Sequence, residues 1–187
     1  MSTADVFRRI TQALDRAGTA YMLTGSFASA HYGATRSTQD VDFVIDANAE
    51  QVRGFVESLS IDRYYVDVDA ALESLRRMSL FNVVDMVTGW KIDFIFKCRP
   101  FSEEEFRRRQ AVEWHGLHLF LATAEDVIVS KLEWARMGKS QRQIEDVTTL
   151  LRMRRDSLDV HYIEKWVSQL SLNEQWQIAK QAATAFE

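Results

Sequence analysis

Residues Tyr21–Asp46 read YMLTGSFASAHYGATRSTQDVDFVID. An apolar run ends at Thr24-Gly25-Ser26, a segment of small residues follows, and a polar loop carrying Arg36 leads into DVDFVID, residues Asp40–Asp46. Period-two alternation in that last run predicts a strand with Val41, Phe43 and Ile45 on one face and Asp40 and Asp42 on the other. Two carboxylates so close repel each other unless a cation lies between them. Hard cations such as Mg2+ take oxygen ligands of this kind and keep positions open for phosphate oxygens. Gly25 lets the backbone approach a phosphate, and a helix opening there offers unpaired N–H groups and a positive dipole end. The Ser26 hydroxyl is a further donor, and Arg36 brings a guanidinium fork suited to phosphate oxygens.

Working outward, a third acid stands in KIDFIF. Leu80–Val87 and Trp90–Phe96 are β-rich runs joined by Thr88-Gly89, a hairpin signal that puts Asp93 on the second strand between Ile92 and Phe94. An acid among such neighbours calls for a chemical reason. Three carboxylates from two strands suit two Mg2+ ions, with Mn2+ as the alternative occupant; one ion activates an attacking hydroxyl and the other clamps a triphosphate. Asp93 is then placed to take the hydroxyl proton.

The flanking chain supplies a frame. Apolar spacing predicts helices over Ser2–Ala17, Phe27–Tyr32, Asn48–Ser60, Asp69–Met78 and Ser102–Arg109, the last capped by Ser102. Strands are expected at Ala20–Leu23 and Tyr64–Val68, and a hairpin or edge-strand region over Val112–Leu121 around Gly116. From Thr123 onward every periodic segment is helical: the Thr123–Asp126 cap and its helix, Gln141–Arg155, Val160–Leu170 and Leu172–Ala183. The expected fold is α/β (α+β), a mixed central sheet with flanking helices over 1–121 and a helical region over 122–187 packed on it.

Composition narrows the class. The 187 residues are 47% hydrophobic and 27% charged, which indicates a folded chain rather than a disordered one. The one cysteine, Cys98, excludes an intrachain disulfide and fits a reducing, cytoplasmic setting. No run approaches the roughly 18 apolar residues of a membrane span. A net charge of -4 argues against a broadly basic nucleic-acid surface.

Plain structural roles account for several other residues. Arg107-Arg108-Arg109 follow Glu103-Glu104-Glu105 at pairing distance on a helix. His115 and His118 flank a hairpin turn. Trp134, Trp166 and Trp176 are expected between helices, and Asp46 is expected to cap the next helix. Lys131, on the edge of the Val127–Ile128–Leu132 stripe, is expected by its residue type to reach solvent.

Gly-Ser, thirteen residues, Asp-Val-Asp and a later strand with one Asp together resemble the signature of the DNA polymerase beta-type nucleotidyltransferase superfamily. GSFASAHYGATRSTQDVDFVI is closest to small bacterial members that include the AbiEii-type abortive-infection toxins. TAEDVIVSKLEWARMGKSQRQIEDVTTLL is similar to the helical segment that follows in that group. The resemblance implies a nucleotidyltransferase-type sheet and a metal-dependent transfer of a nucleoside monophosphate from a triphosphate such as ATP to a hydroxyl of a tRNA, a protein or a small molecule. It further implies that Gly25 and Ser26 bind phosphate, that Asp40, Asp42 and Asp93 hold metal, and that Lys131 contacts nucleotide or substrate. A cognate antitoxin is the partner it suggests. The competing reading is a nucleotide-binding partner or regulatory module of a two-gene system, without turnover.

Overall fold

In the computed structural model, residues 3–34, 39–98 and 100–185 are described. The chain forms two compact units, one of Met1–Thr24 with Thr38–Leu121 and the other of Gly25–Ser37 with Ala122–Glu187.

The first unit is built on a seven-stranded mixed sheet. Its strands in chain order are β1 (Ala20–Thr24), β2 (Asp40–Asp46), β3 (Tyr64–Tyr65), β4 (Leu80–Asp85), β5 (Trp90–Phe96), β6 (Gln110–Trp114) and β7 (Leu117–Leu121), arranged β3-β4-β5-β2-β1-β7-β6. β2 lies parallel to β5 and antiparallel to β1, and β4 and β5 form the expected antiparallel hairpin. The apolar face is an aromatic ladder across three strands. Phe94 of β5 is stacked between Phe43 of β2, at 5.5 Å between ring centroids, and Phe81 of β4, at 5.0 Å. Cross-strand aromatic pairs of this kind add to burial and fix which residues face each other.

Helices α1 (Thr3–Arg16), α3 (Ala49–Ser58) and α4 (Val68–Arg76) belong to the same unit, as does α5 (Pro100–Arg108). Phe7 of α1 meets Phe43 at 6.5 Å, and Phe55 of α3 meets Phe94 edge-on at 4.9 Å, so both helices cover the ladder. Val6, Ile10 and Leu14 complete the buried stripe of α1.

Local chemistry explains where boundaries depart from the sequence expectation. The expected strand Tyr64–Val68 stops at Tyr65, because Asp67 takes the N-cap position of α4 and accepts a hydrogen bond from the Ala70 N–H at 2.6 Å. Helix α5 opens at Pro100, a residue suited to a first helical position, and the Ser102 hydroxyl accepts the Cys98 N–H at 3.0 Å instead of capping. Asp46 does not cap α3. Asn48 does, in a reciprocal capping box with Gln51, and Asp46 pairs with Lys97 at 2.7 Å. His115 and Gly116 take positive φ in the β6–β7 turn, as a tight hairpin requires.

The second unit holds α2 (Gly25–His31), α6 (Ala124–Gly138), α7 (Gln141–Met153), α8 (Val160–Gln169) and α9 (Asn173–Thr184). Trp166 and Trp176 are buried among these helices as expected, whereas Trp134 is 40% exposed and is no core residue. Thr123 caps α6 as predicted, its hydroxyl accepting the Asp126 N–H. Among the described residues no helix is long and apolar enough to cross a membrane.

One buried acid of the first unit serves the fold. Asp85, with no exposed surface, ends β4 on the aromatic face. Its Oδ2 accepts both Nε and Nη2 of Arg63, at 3.1 and 2.6 Å, and its Oδ1 accepts the Val87 N–H at 3.0 Å. Arg9 of α1 lies 3.7 Å away. Burial pushes this carboxyl up, but the hydrogen bonds from Arg63 and Val87 outweigh it and hold the pKa below the ordinary carboxylate value. A depressed folded-state value means stability that is present above the unfolded value, about 3.9, and lost as pH falls through the folded one. Asp85→Asn is therefore expected to lower unfolding free energy at pH 7 by about 2–3 kcal/mol. In urea titrations the gap to the parent protein should close below about pH 3.9; a gap that persists unchanged at pH 2 would contradict this account.

Candidate functional site

The aromatic ladder fixes one face of the sheet, and period two then dictates the other. Asp42 of β2 and Asp93 of β5 are register partners on neighbouring parallel strands, so their side chains leave the same face side by side. Asp40 lies two residues before Asp42 and is the register partner of Lys91. Asn82 of β4 is the partner of Asp93 on its other side, and Thr24 of β1 is the partner of Asp42. The result is a polar row across four adjacent strands: Thr24, Asp42, Asp93 and Asn82, with Asp40 and Lys91 one step along.

The three acids anticipated from sequence thus share one face and one end of the sheet. Asp40 is exposed, while Asp42 and Asp93 are half-buried. Asp93 is held from two sides. Asn82 Nδ2 donates to its Oδ1, and Lys91 Nζ donates to its Oδ2 at 2.8 Å. The bond to Asp93 raises the Lys91 pKa above the ordinary lysine value, with partial burial opposing and the charges of Asp93, Asp40 and Asp42 adding to the rise.

Lys91 and Asn82 carry no motif of their own, and the sequence reading passed over them. Period two offered the signal for Lys91, which lies two residues before Asp93 and so on its face. Asn82 could be placed only once the hairpin register was known. Thr24 is a buried residue of β1 whose hydroxyl has no hydrogen-bond partner among the described residues.

Among the described residues no three His, Cys, Asp or Glu side chains converge into a metal cage. The donor set nevertheless suits a hard cation. Its ligands are carboxylate oxygens, two of them on adjacent strands in register, and an ammonium already sits against one. Asp42 and Asp93 are the adjacent pair that could share such an ion, with Asp40 two residues along β2 on the same face.

The remaining predicted site residues belong to the second unit or lie outside the described ones. Arg36 is outside them. Gly25 opens α2 with a φ of +59°, a value glycine adopts without penalty. Ser26, next in α2, is buried. The Tyr32 hydroxyl, just past α2, donates to the Ala122 carbonyl at 2.9 Å and so ties the end of α2 to the start of α6. Burial and the nearby Glu125 push the Tyr32 phenol up to about 12.

Lys131 departs from the expected path to solvent. It is 2% exposed, and its Nζ reaches Asp146 Oδ2 at 2.7 Å and Gln143 Oε1 at 2.9 Å, joining α6 to α7. Nearby, Asp126 accepts the hydroxyls of Thr123 and Tyr162, both at 2.6 Å. A cavity of about 420 Å³ lies between α7, α8 and α9, floored by Leu151, Val160 and Trp176. Two cations on its rim are engaged, Arg152 by the Ala182 and Ala183 carbonyls and Lys180 by Glu164.

No family model matches the sequence, and no curated protein does. Solved structures do match, and they give the class of fold as that of the nucleotidyltransferases. The antibiotic-resistance factor ANT(2'')-Ia is similar at a TM-score of 0.55 and 14% identity, over 93% of this chain and 95% of its own. The same factor in complex with adenylyl-2''-tobramycin aligns at 0.56 and 14%, over 94% and 99%. A nucleotidyltransferase-like protein from Paracoccidioides brasiliensis aligns at 0.53 and 14%, over 94% and 91%. At such identity the likeness establishes the fold.

The Lys131–Asp146 pair can be tested for a structural contribution of its own. Asp146→Ala should lower stability by about 3 kcal/mol, because it strands a buried ammonium. Lys131→Met combined with Asp146→Leu should recover most of that loss in thermal unfolding. Additive losses in the double variant would contradict the pairing.

Proposed function

We propose that this chain is a nucleotidyltransferase, transferring a nucleoside monophosphate from a triphosphate to a hydroxyl acceptor. The observation that carries the proposal is the register of Asp42 on Asp93, with Asp40 two residues away on the same sheet face. In this reading Asp40, Asp42 and Asp93 hold Mg2+, or Mn2+ in its place, which supplies Lewis-acid activation of the hydroxyl and charge neutralisation of the phosphates.

The chain's own groups have defined tasks. Asp93 accepts the proton of the attacking hydroxyl. The acceptor oxygen bonds to the α-phosphorus, the bond to the bridging oxygen breaks, and pyrophosphate leaves. Asp42, on the adjacent strand, fixes the distance between proton acceptor and phosphate site. Gly25 and Ser26 are assigned to the phosphates, with Arg36 as a further phosphate contact and Lys131 as a residue of the nucleotide or acceptor side.

Acceptors to consider are a tRNA, a protein or a small molecule. ANT(2'')-Ia, seen with an adenylylated aminoglycoside, makes a small polyhydroxylated molecule the first to try. The resemblance to abortive-infection toxins supports a cognate antitoxin as partner and tRNA as the second acceptor. The hold of Lys91 and Asn82 on Asp93 favours a second reading, a module that binds nucleotide without turnover.

The test is transfer of label from α-labelled triphosphates with Mg2+ to panels of aminoglycosides, tRNA and cell protein. Asp42→Asn should reduce transfer at least about 100-fold while thermal unfolding stays within a few degrees of the parent. Equal transfer by that variant would overturn the mechanism. Tight triphosphate binding with no pyrophosphate release from any panel would favour the second reading.

A further inference from the structure

The polar row contains its own cation. We propose that the Lys91 ammonium is a tethered counter-ion that occupies the carboxylate face in the ligand-free chain and competes with a divalent metal ion for Asp93, so that Lys91 sets the metal affinity of the site. The proposal rests on the metal-binding reading above and adds to it a residue that no metal-site pattern picks out.

Three observations carry it. First, the contact is direct: Nζ lies 2.8 Å from Asp93 Oδ2, a charge-assisted distance. Second, the placement follows from the backbone. Lys91 is two residues before Asp93 on β5 and register partner of Asp40 on β2, so its stem rises from the same face between two of the three acids. The electrostatic attraction of Asp40 and Asp42 for this ammonium accompanies its bond to Asp93. Third, the contact can be exchanged. The Lys91 side chain keeps 45% of its surface exposed, and its long stem lets the charged head leave without moving the strand. The opposite oxygen of Asp93 is held by Asn82, which keeps the carboxylate in place whichever cation faces Oδ2.

An ordinary surface ion pair would have the same distance but a different consequence. An exposed Lys–Asp pair contributes little and its loss is barely felt. A counter-ion placed among three carboxylates affects every cation that approaches them. A divalent ion must then displace the ammonium, which weakens binding of metal alone relative to metal arriving with a triphosphate. The displaced ammonium remains tethered on the face where the anionic phosphates would enter.

The experiment measures Mn2+ binding by calorimetry without nucleotide, and thermal unfolding in chelator and in Mn2+. It uses the parent protein, Lys91→Met, Lys91→Arg and Asp93→Asn. Lys91→Met is expected to bind Mn2+ roughly tenfold more tightly than the parent, because a like charge at contact distance is gone. In chelator it should unfold a few degrees lower than the parent, and Mn2+ should restore it. Lys91→Arg keeps the charge and should bind Mn2+ as the parent does. Asp93→Asn should lose binding.

The outcomes separate the two readings. Binding that needs Asp93 yet is equal or weaker in Lys91→Met overturns the counter-ion and leaves the metal site standing. Absence of Asp93-dependent binding in parent and Lys91→Met alike overturns both.

Discussion

Phe94 between Phe43 and Phe81 is the contact on which the rest of this architecture depends. Side chains on a strand alternate with a period of two, so a shift of one residue in β2 or β5 would turn Phe43, or Ile92, Phe94 and Phe96, to the wrong face. It would also bury Asp40, Asp42 and Asp93. Burial of the ladder and placement of the acids are therefore one decision. The fully buried rings and Ile92 on β5 supply the stabilisation, and the repulsion among the carboxylates is tolerated because the register leaves them no other face.

This division of labour explains why the site can carry like charges at all. Asp42 and Asp93 belong to parallel strands held by backbone hydrogen bonds and aromatic stacking. Their separation is set by the sheet. What remains to be balanced is local charge, and Lys91 and Asn82 do that on Asp93 with groups from β5 and β4. Asp85 shows the contrasting solution on the other face. There a buried carboxylate is saturated by Arg63 and backbone N–H groups, which is what a structural acid requires.

Much of this was legible in the sequence, and the reasons are specific. DVD at the start of β2 and KID near the start of β5 alternate polar and apolar residues, so the faces of both strands could be assigned before any contact was known, although Val44 and Ile95 interrupt the pattern further along. Thr88-Gly89 marked the hairpin, and Thr123 the start of α6. The errors came where a side chain chose between two local partners. Asp46 was closer to a salt bridge with Lys97 than to the α3 terminus, where Asn48 and Gln51 already satisfied the free N–H groups. Trp134 lies on a helix with a continuous apolar stripe, yet period alone does not say how far around the helix burial extends.

Lys131 and Lys91 mark the limit most clearly. Lys131 lay beside an apolar stripe, and residue type alone argued that it should reach water; Lys91, in an apolar strand, carried no such expectation. Lys131 is instead buried against Asp146, fifteen residues away on the next helix, a pairing that only the approach of α6 to α7 creates. Lys91 does keep contact with solvent, but its charge is directed by the register of β2 on β5. A lysine's role is set by which carboxylate the backbone brings within reach, and that is a property of pairing between elements. In this chain the same pairing that buries the phenylalanines determines which acids are neighbours and which cation they meet first.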